Sequence, residues 1–261
     1  MLQIKVGVKL ANLKMPFKNA LQIAARLGAD AVEIDARHEL KPSEMSGTAL
    51  RHFRKLLEDL NLRVSAVSFQ TRGSYYDLKG LDQRVEATKE ALKLAYQLGA
   101  NVVVNQIGRV PTDPEHSNYQ TLLETLADIG RAGQRVGAFL AARTGSEDGK
   151  TLCGLLRDLP EGALAVDFDP GSLIINGFSA ADAIQQLGQY VLHVHARDGV
   201  QDLAQGRGLE VPLGRGSADF PNLLGSLEEH QYRGYLTVQR DQANDPVLEI
   251  GQAIQFLKNL V

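Results

Sequence analysis

The residues 191–198, Val-Leu-His-Val-His-Ala-Arg-Asp, combine an apolar pattern with side chains that could do chemistry. The segment is too short for a typical helix, is rich in strand-forming residues and is closed by Gly199, so it predicts a strand. Successive side chains of a strand point to opposite faces, which puts His193, His195 and Arg197 on one face and apolar residues on the other. Imidazole and guanidinium groups at the end of a strand are suited to proton transfer and to binding polar ligands.

Short apolar strands alternate with longer helical stretches along the whole chain. Eight strand-then-helix units predict an α/β fold in which parallel strands close into a (β/α)8 TIM barrel, with residues 1–261 as a single domain. The longest predicted loop is 199–218. The predicted strands are about 3–10, 31–35, 63–69, 101–105, 136–143, 164–169, 191–198 and 235–239. The predicted helices are 16–27, 43–60, 81–98, one that begins at Ser117, 147–159, 179–188, 219–229 and one that begins after Pro246.

Two further features favour a closed barrel over an open doubly wound sheet. Residues 25–32 and 96–103 resemble each other, and both are helix ends with a glycine that lead into a strand. The turn after the first strand, residues 10–14, lacks the glycines that mark a dinucleotide-binding doubly wound sheet.

The alternation rule brings polar side chains together at one end of the predicted barrel. Active sites of such barrels lie at the C-terminal ends of the strands, and burying polar groups there is costly without a function. The rule also places Val102 and Val104 against the helices. The residues predicted to face inward at or near the strand ends are Lys9, Glu33, Asp35, Asn105, Arg143, Asp169, His195 and Gln239.

Composition narrows the class of protein. Apolar residues make up 44% of the chain and charged residues 23%, which is ordinary for a globular protein with a full core. A net charge of −3 gives no indication of a nucleic-acid or anionic-membrane partner. The one cysteine, Cys153, rules out an internal disulfide, and neither a signal peptide nor a membrane span is visible. We therefore expect a cytoplasmic protein.

Several motifs in the second half of the chain are distinctive when taken together. They are Asp-Phe-Asp-Pro at 167–170, His-Val-His-Ala-Arg-Asp at 193–198, Val-Pro-Leu-Gly-Arg-Gly at 211–216 and Gly-Tyr-Leu-Thr-Val at 234–238. Through them the chain resembles the xylose isomerase-like TIM barrels, a group of sugar isomerases, epimerases and related enzymes. The resemblance extends over essentially the whole length.

The resemblance implies one divalent metal (Mn, Mg, Co or Zn) at the barrel mouth. Its ligands would be a Glu after strand five, an Asp after strand six, a His after strand seven and a Glu after strand eight, and the two glutamates would also move protons at a sugar carbon. Asp169 and His195 match two of these positions. The two glutamate positions hold Arg143 and Gln239 instead.

These two replacements change the expected chemistry. Arginine has no lone pair for a metal and is always protonated, and glutamine is not a base near neutral pH. We expect Arg143 to take the electrostatic place of the cation and to pair with Asp169, so that no metal binds tightly and no cofactor is needed. The expected catalytic set is Arg143, Asp169, His195 and Gln239, and the expected substrate-binding set is Lys9, Glu33, Asp35, Asn105, Arg197 and Arg215.

Structural explanations compete with these roles. His195 could be a satisfied buried imidazole, and Glu33 and Asp35 could be salt-bridged strand residues. His193 and Asp167 lie one layer deeper and are expected to form a structural hydrogen-bonded pair. The glycine-flanked Arg207 and Arg215 could be solvated charges, although backbone amides beside a guanidinium also suit a phosphate or carboxylate.

Three functions remain open at this stage. The first is an isomerase or epimerase of a small sugar or polyol derivative with altered or metal-free chemistry, in which Glu33 or Asp35 acts as base and Arg143 stabilises an enediolate. The second is a sugar-binding or regulatory barrel that has lost the reaction. The third, an apurinic-site endonuclease, requires more histidine ligands on strands than His193 and His195 provide. The oligomeric state is left open, a homo-oligomer included.

Overall fold

Eight parallel strands form a closed barrel in the computed structural model, which describes residues 5–202 and 207–260. The first and last barrel strands pair with each other, and so the sheet closes. The barrel strands are β1 (Val6–Lys9), β2 (Ala31–Asp35), β3 (Arg63–Ser68), β4 (Val102–Asn105), β5 (Phe139–Arg143), β6 (Ala165–Phe168), β7 (Val191–Ala196) and β10 (Leu236–Val238).

Helices follow the strands and pack around the barrel, as the alternating pattern predicts. Within the described ranges they are α1 (Phe17–Arg26), α2 (Gly47–Asp59), α3 (Leu81–Gln97), α4 (Ser117–Val136), α5 (Gly149–Asp158), α6 (Pro170–Ile175), α7 (Ala180–Leu187), α8 (Phe220–Glu229) and α9 (Pro246–Lys258). Short 3-10 turns at Leu10–Leu13, Pro42–Glu44 and Gly188–Tyr190 complete the connections.

The structure adds a hairpin and a short helix to the predicted elements and moves the start of another helix. The predicted loop 199–218 contains an antiparallel hairpin of β8 (Asp198–Val200) and β9 (Leu209–Val211). The short helix α6 was not predicted. Its N-cap is Asp169, whose carboxylate accepts the Ser172 N–H. The helix predicted to begin at residue 43 begins at Gly47, because Ser46 accepts the Ala49 N–H as its N-cap.

Strand β4 faces the opposite way from the prediction. Val102 and Val104 pair with Phe139 and Ala141 of β5 and belong to a small apolar cluster in the barrel interior, whereas Val103 packs under the helices. The predicted outward position of Val102 and Val104 is therefore wrong, and Asn105 turns outward with Val103. Because the three valines in a row show no polar alternation, the sequence does not reveal the phase.

Most of the apolar core lies between the strands and the surrounding helices, where Val8, Ile34 and Phe168 are at most 1% exposed. The polar strand ends described below therefore sit on a rigid support. In the described parts of the chain, none of the helices has the length and apolar character needed to cross a membrane.

Candidate functional site

A buried carboxylate, Asp167 of β6, is the centre of the polar cluster. Its oxygens lie 2.8 Å from His193 Nδ1 and 2.7 Å from His195 Nδ1, and the Arg143 Nε–H donates to Oδ2 at 2.9 Å. Arg143 is 7% exposed and the other three are fully buried. The expected pairing of His193 with Asp167 is confirmed, and His193 Nε2 also lies 2.8 Å from the Thr237 hydroxyl.

His195 lies between two carboxylates. Its Nε2 is 2.6 Å from Glu33 Oε2 on β2, while its Nδ1 is held by Asp167. Because carboxylates only accept hydrogen bonds, both contacts form together only when both ring nitrogens of His195 carry protons, as in an imidazolium. The Arg143 Nη2 is 3.1 Å from Nδ1 and 3.0 Å from Nε2, so the guanidinium lies directly against this ring.

The charges of the cluster stabilise one another. Burial alone would raise the pKa of Asp167 and Glu33, but His195 and Arg143 lower the pKa of both carboxyls well below the usual range. For His195, burial and Arg143 lower the pKa, but Asp167 and Glu33 outweigh them and raise it. Two carboxylates are thus balanced by a guanidinium and an imidazolium.

The expected pair between Arg143 and Asp169 is not formed. In the parallel register, Arg143 of β5 stands beside Asp167 of β6, and Asp169 lies one inward layer further along the strand. Arg143 therefore makes its ion pair with Asp167, at 2.9 Å. Arg143 still acts on the charge of Asp169, whose pKa is raised by burial against the lowering effects of Arg197, Arg143 and His195.

A second charged network continues from Asp169 along the mouth. Arg197 Nη1 is 3.8 Å from Asp169 Oδ2, and its Nη2 is 3.0 Å from Glu210 of the hairpin and 3.5 Å from Asp241. Glu210 also accepts from Arg240 at 3.0 Å. The hairpin of β8 and β9 thereby fixes Arg197 over the strand ends.

Several buried polar atoms at these strand ends have no hydrogen-bond partner among the described residues. Gln239 donates through Nε2 to Asp241 Oδ2 at 2.6 Å, but its Oε1 is unpaired. Asp169 Oδ2, Glu33 Oε1 and the donor Arg197 Nε likewise make no hydrogen bond, although Arg197 Nη1 lies 3.8 Å from Asp169 Oδ2. Unpaired buried acceptors carry a cost of about 1–3 kcal/mol each, so a set of them at one mouth indicates a ligand that donates hydrogen bonds.

The other predicted site residues differ in their surroundings. Lys9 pairs in register with Glu33 and is half-buried near the strand ends. The Asp35 carboxylate accepts from the Arg37 N–H at 2.7 Å and caps its own turn. The predicted inward position of Asn105 is wrong, since its Nδ2 donates to the Tyr75 hydroxyl at 2.8 Å outside the barrel.

The glycines on either side of Arg215 do not form a site for an external anion with their backbone. The Gly214 and Gly216 N–H groups donate to Asp198 Oδ2 at 3.0 and 2.8 Å, so the anion that they bind is the protein's own carboxylate. The Arg215 side chain is exposed. Arg207 is exposed as well, and its neighbour Gly206 lies outside the described residues.

Besides Asp241, sequence reasoning missed three carboxyls at this face. Asp198 organises the loop after the hairpin, Glu210 joins two arginines, and Glu39 folds back on the end of β2, where its Oε2 accepts the Asp35 N–H at 2.7 Å. Glu39 follows β2 by only a few residues, and that position is the signal that could have identified it.

The residues at the four implied metal positions do not fit a divalent cation. Arg143 offers no lone pair, and Gln239 offers one neutral oxygen. Elsewhere in the cluster, Glu33, His193 and His195 have ligand atoms within 4.8 Å of one another. However, both nitrogens of each histidine are already held by carboxylate or hydroxyl oxygens. A metal would have to break those contacts next to a guanidinium.

Comparison with known proteins supports this architecture. The chain is similar to the xylose isomerase domain protein from Planctomyces limnophilus, with 23% identity, a TM-score of 0.83 and coverage of 98% of this chain and 95% of that one. A xylose isomerase-like TIM barrel protein from Mycobacterium smegmatis, solved with magnesium, gives 17% identity, a TM-score of 0.77 and coverage of 100% and 97%.

A D-allulose 3-epimerase from Methylomonas sp., solved with D-allulose, gives 16% identity, a TM-score of 0.76 and coverage of 100% and 98%. At these identities the structural matches show the fold alone. A search of the curated proteins finds no match. The sequence model of the xylose isomerase-like TIM barrels matches residues 21–260, and the chain therefore belongs to the xylose isomerase-like TIM barrel family.

Proposed function

We propose that this protein binds a small sugar or polyol derivative at the C-terminal mouth of the barrel and acts on it as an isomerase or epimerase without a tightly bound divalent metal. The observation that carries the proposal is the set of unpaired buried oxygens, Glu33 Oε1, Asp169 Oδ2 and Gln239 Oε1, at the ends of three strands. A polyol carries several hydroxyl donors, which is the type of partner that these acceptors lack.

The charge of the cluster supports the metal-free part of the proposal. Arg143 supplies a fixed positive charge beside His195, and the two carboxylates around them are already balanced. A developing oxyanion near this guanidinium would be stabilised without a Lewis acid. The Mycobacterium smegmatis protein that was solved with magnesium shares only 17% sequence identity with this chain, so its metal does not argue against the proposal.

A binding or regulatory role is the second candidate, and one observation favours it. The two positions at which the family resemblance implies proton-moving glutamates hold Arg143 and Gln239, and Arg143 is locked into an ion pair. A barrel with these residues could retain the ligand mouth without turnover.

Ligand binding tests the shared part of both candidates. Saturation-transfer NMR with D-allulose, D-tagatose, D-fructose and xylitol should identify a bound polyol, and calorimetry should then give its affinity. Gln239→Leu removes the unpaired Oε1 at nearly constant shape, together with the Nε2 group that donates to Asp241, and we expect it to weaken binding about 5- to 100-fold. Gln252→Leu, an exposed change on α9, is the control.

Turnover separates the two candidates. The same sugars incubated with the protein in the presence of EDTA should isomerise or epimerise, as followed by NMR. Binding without turnover would favour the regulatory barrel. Turnover that requires added manganese, cobalt or magnesium would contradict the metal-free proposal, and failure of every polyol to bind would contradict both candidates.

A further inference from the structure

The proton-transfer groups expected from the sequence are unsuited to that role. Glu33 is held by His195 at 2.6 Å, and the pKa of its carboxyl lies well below the usual range, which makes it a weak base. Asp35 uses its carboxylate to cap its own turn and to contact the His38 ring at 2.9 Å. The barrel mouth therefore needs another group if it moves protons.

Glu39 occupies a suitable place. It lies in the loop after β2, at the C-terminal face, and the Glu39 and Leu40 N–H groups both donate to the Asp35 carbonyl at 3.0 Å. The Asp35 N–H in turn donates to Glu39 Oε2 at 2.7 Å, so the carboxyl is folded back on the strand end. Within the described residues, the hydrogen bonds to this carboxyl reach Oε2 only, which leaves Oε1 available to a ligand.

The charged neighbours of Glu39 are Asp35 and Glu33 on β2 and Lys9 on β1. Burial, together with the charges of Asp35 and Glu33, raises the pKa of the Glu39 carboxyl to about 7, against the lowering effects of the Asp35 N–H and Lys9. A carboxyl that titrates near neutral pH can both accept and return a proton. Lys9 pairs in register with Glu33, and Asp35, whose N–H donates to Glu39, lies two residues further along β2, which puts Glu39 at the C-terminal end of that strand.

We propose that Glu39 is the catalytic acid and base of this site, an inference that rests on the proposed function above. Its carboxylate takes a proton from the carbon next to the carbonyl of an open-chain sugar. The C–H electron pair becomes the carbon–carbon double bond of an enediolate, and the carbonyl electron pair moves to oxygen. The hydroxyl proton then passes between the two oxygens of this enediolate, the carboxylic acid returns its proton to the former carbonyl carbon, and the carbonyl forms on the neighbouring carbon, so the atoms balance and no other reactant is required.

Two variants isolate this role. Glu39→Gln keeps an oxygen to accept the Asp35 N–H but cannot take a proton, so the loop should stay folded. Glu44→Gln changes an exposed carboxylate of the same loop, which is paired with Lys41 at 2.8 Å, and serves as the matched control. Amide exchange of residues 35–40 checks that both variants keep the turn.

The first measurement follows hydrogen–deuterium exchange at the carbon atoms of D-allulose and D-tagatose in D2O by NMR. We expect the wild-type rate to rise with a midpoint near pH 7, to fall about 100- to 10,000-fold in Glu39→Gln and to be unchanged in Glu44→Gln. Saturation-transfer NMR should show that Glu39→Gln still binds the sugar.

The second measurement needs no turnover. In protein with 13C-labelled glutamate side chains, the carboxyl resonances of Glu39 and Glu147 should both titrate near pH 7, and one of the two should disappear in Glu39→Gln. A midpoint near 4.5 for this resonance overturns the inference, as does sugar exchange that is equal in wild type and Glu39→Gln, or sugar binding with no exchange in the wild type. Absence of sugar binding instead identifies the proposed function as the failure, and the inference falls with it.

Discussion

At the scale of single residues, Arg143 determines the character of the site. Its guanidinium contacts Asp167 and His195 and makes the centre of the barrel a closed, electrically balanced cluster. The sequence indicated that an arginine replaces a carboxylate here, but it assigned the wrong partner. Registers between neighbouring strands decide which side chains stand side by side, and a single sequence does not state them.

Restoring the two carboxylates should restore metal binding. In Arg143→Glu with Gln239→Glu, a divalent cation would find oxygen ligands next to Asp169 and His195 and would no longer face a guanidinium. We expect equilibrium dialysis to show about one Mn²⁺ per chain in the double variant, with a metal-dependent rise in thermal midpoint, because binding to the folded state stabilises it.

The added change Asp169→Ala should abolish that uptake and is the control. Two results would count against the assignment of these strand ends: no uptake by the double variant, or stoichiometric uptake by the wild type that Asp169→Ala removes.

At the scale of elements, loops tie the strand ends together through buried carboxyls. Glu147, in the loop between β5 and α5, accepts the Val110 N–H of the loop after β4 at 3.2 Å. Asp198, in the hairpin, accepts four backbone N–H groups, those of Gly199, Gly214, Gly216 and Ala218. These tertiary contacts have no local sequence pattern, so the hairpin was predicted only as a loop.

Glu147 should make stability depend on pH. Burial raises the pKa of its carboxyl from 4.5 to about 7, against the lowering effects of the Val110 N–H and Arg109. The folded state therefore binds this proton more tightly, and its contribution is lost as the pH rises from 4.5 to 7. Glu147→Gln keeps an acceptor but no charge, and denaturant titrations should show it more stable than wild type by about 2–3 kcal/mol at pH 8 and equal to it at pH 4.

The matched control for this experiment is Glu115→Gln, which changes an exposed carboxylate in the neighbouring loop. Its stability should follow the wild type at every pH. A Glu147→Gln variant that gains nothing at pH 8 would show that this carboxyl ionises at little cost in the folded protein.

Asp198 should hold the loop 212–218. Asp198→Asn replaces one acceptor oxygen by an NH2 group and sets donor against donor at the backbone amides of this loop. We expect amide exchange at Gly214 and Gly216 to accelerate more than tenfold, with a loss of about 1–3 kcal/mol in the free energy of unfolding. Asp245→Asn, at the N-cap of α9, should change little because Asn caps helices as well as Asp does. Unchanged exchange at Gly214 would contradict this role.

At the scale of the whole molecule, the sequence predicted the closed barrel and its eight strands correctly, because several strands follow a helix end with a clear signal such as Gly28 or Gly99. It also identified His195, Asp169 and Arg143 as strand-end residues. The facing of β4 and the partners of each charge depend on how strands tilt and pair around the barrel, and Val102–Val104 carry no alternation from which to infer them.

A residue larger than glycine at position 7 should destabilise the protein, because there is no space for its side chain in the barrel interior. A Cβ there would lie 2.7 Å from the Thr237 hydroxyl, which contacts His193 and thereby Asp167. Gly7→Ala should cost about 1–3 kcal/mol of unfolding free energy in denaturant titrations. Gly154→Ala, at an exposed helical position with open space around it, should instead gain about 0.5–1 kcal/mol. A Gly7→Ala variant as stable as the wild type would show that the interior at Gly7 has more room than its contacts indicate.

Because the positive charge of Arg143 is part of the polypeptide, the site does not depend on a supply of metal ions for it. A guanidinium arrives with every newly made chain, in a ratio of one to one, and it can be neither stripped by a chelator nor exchanged for a competing ion. The balance of charge at the heart of this barrel is therefore set when the chain folds, whatever the mineral content of its surroundings.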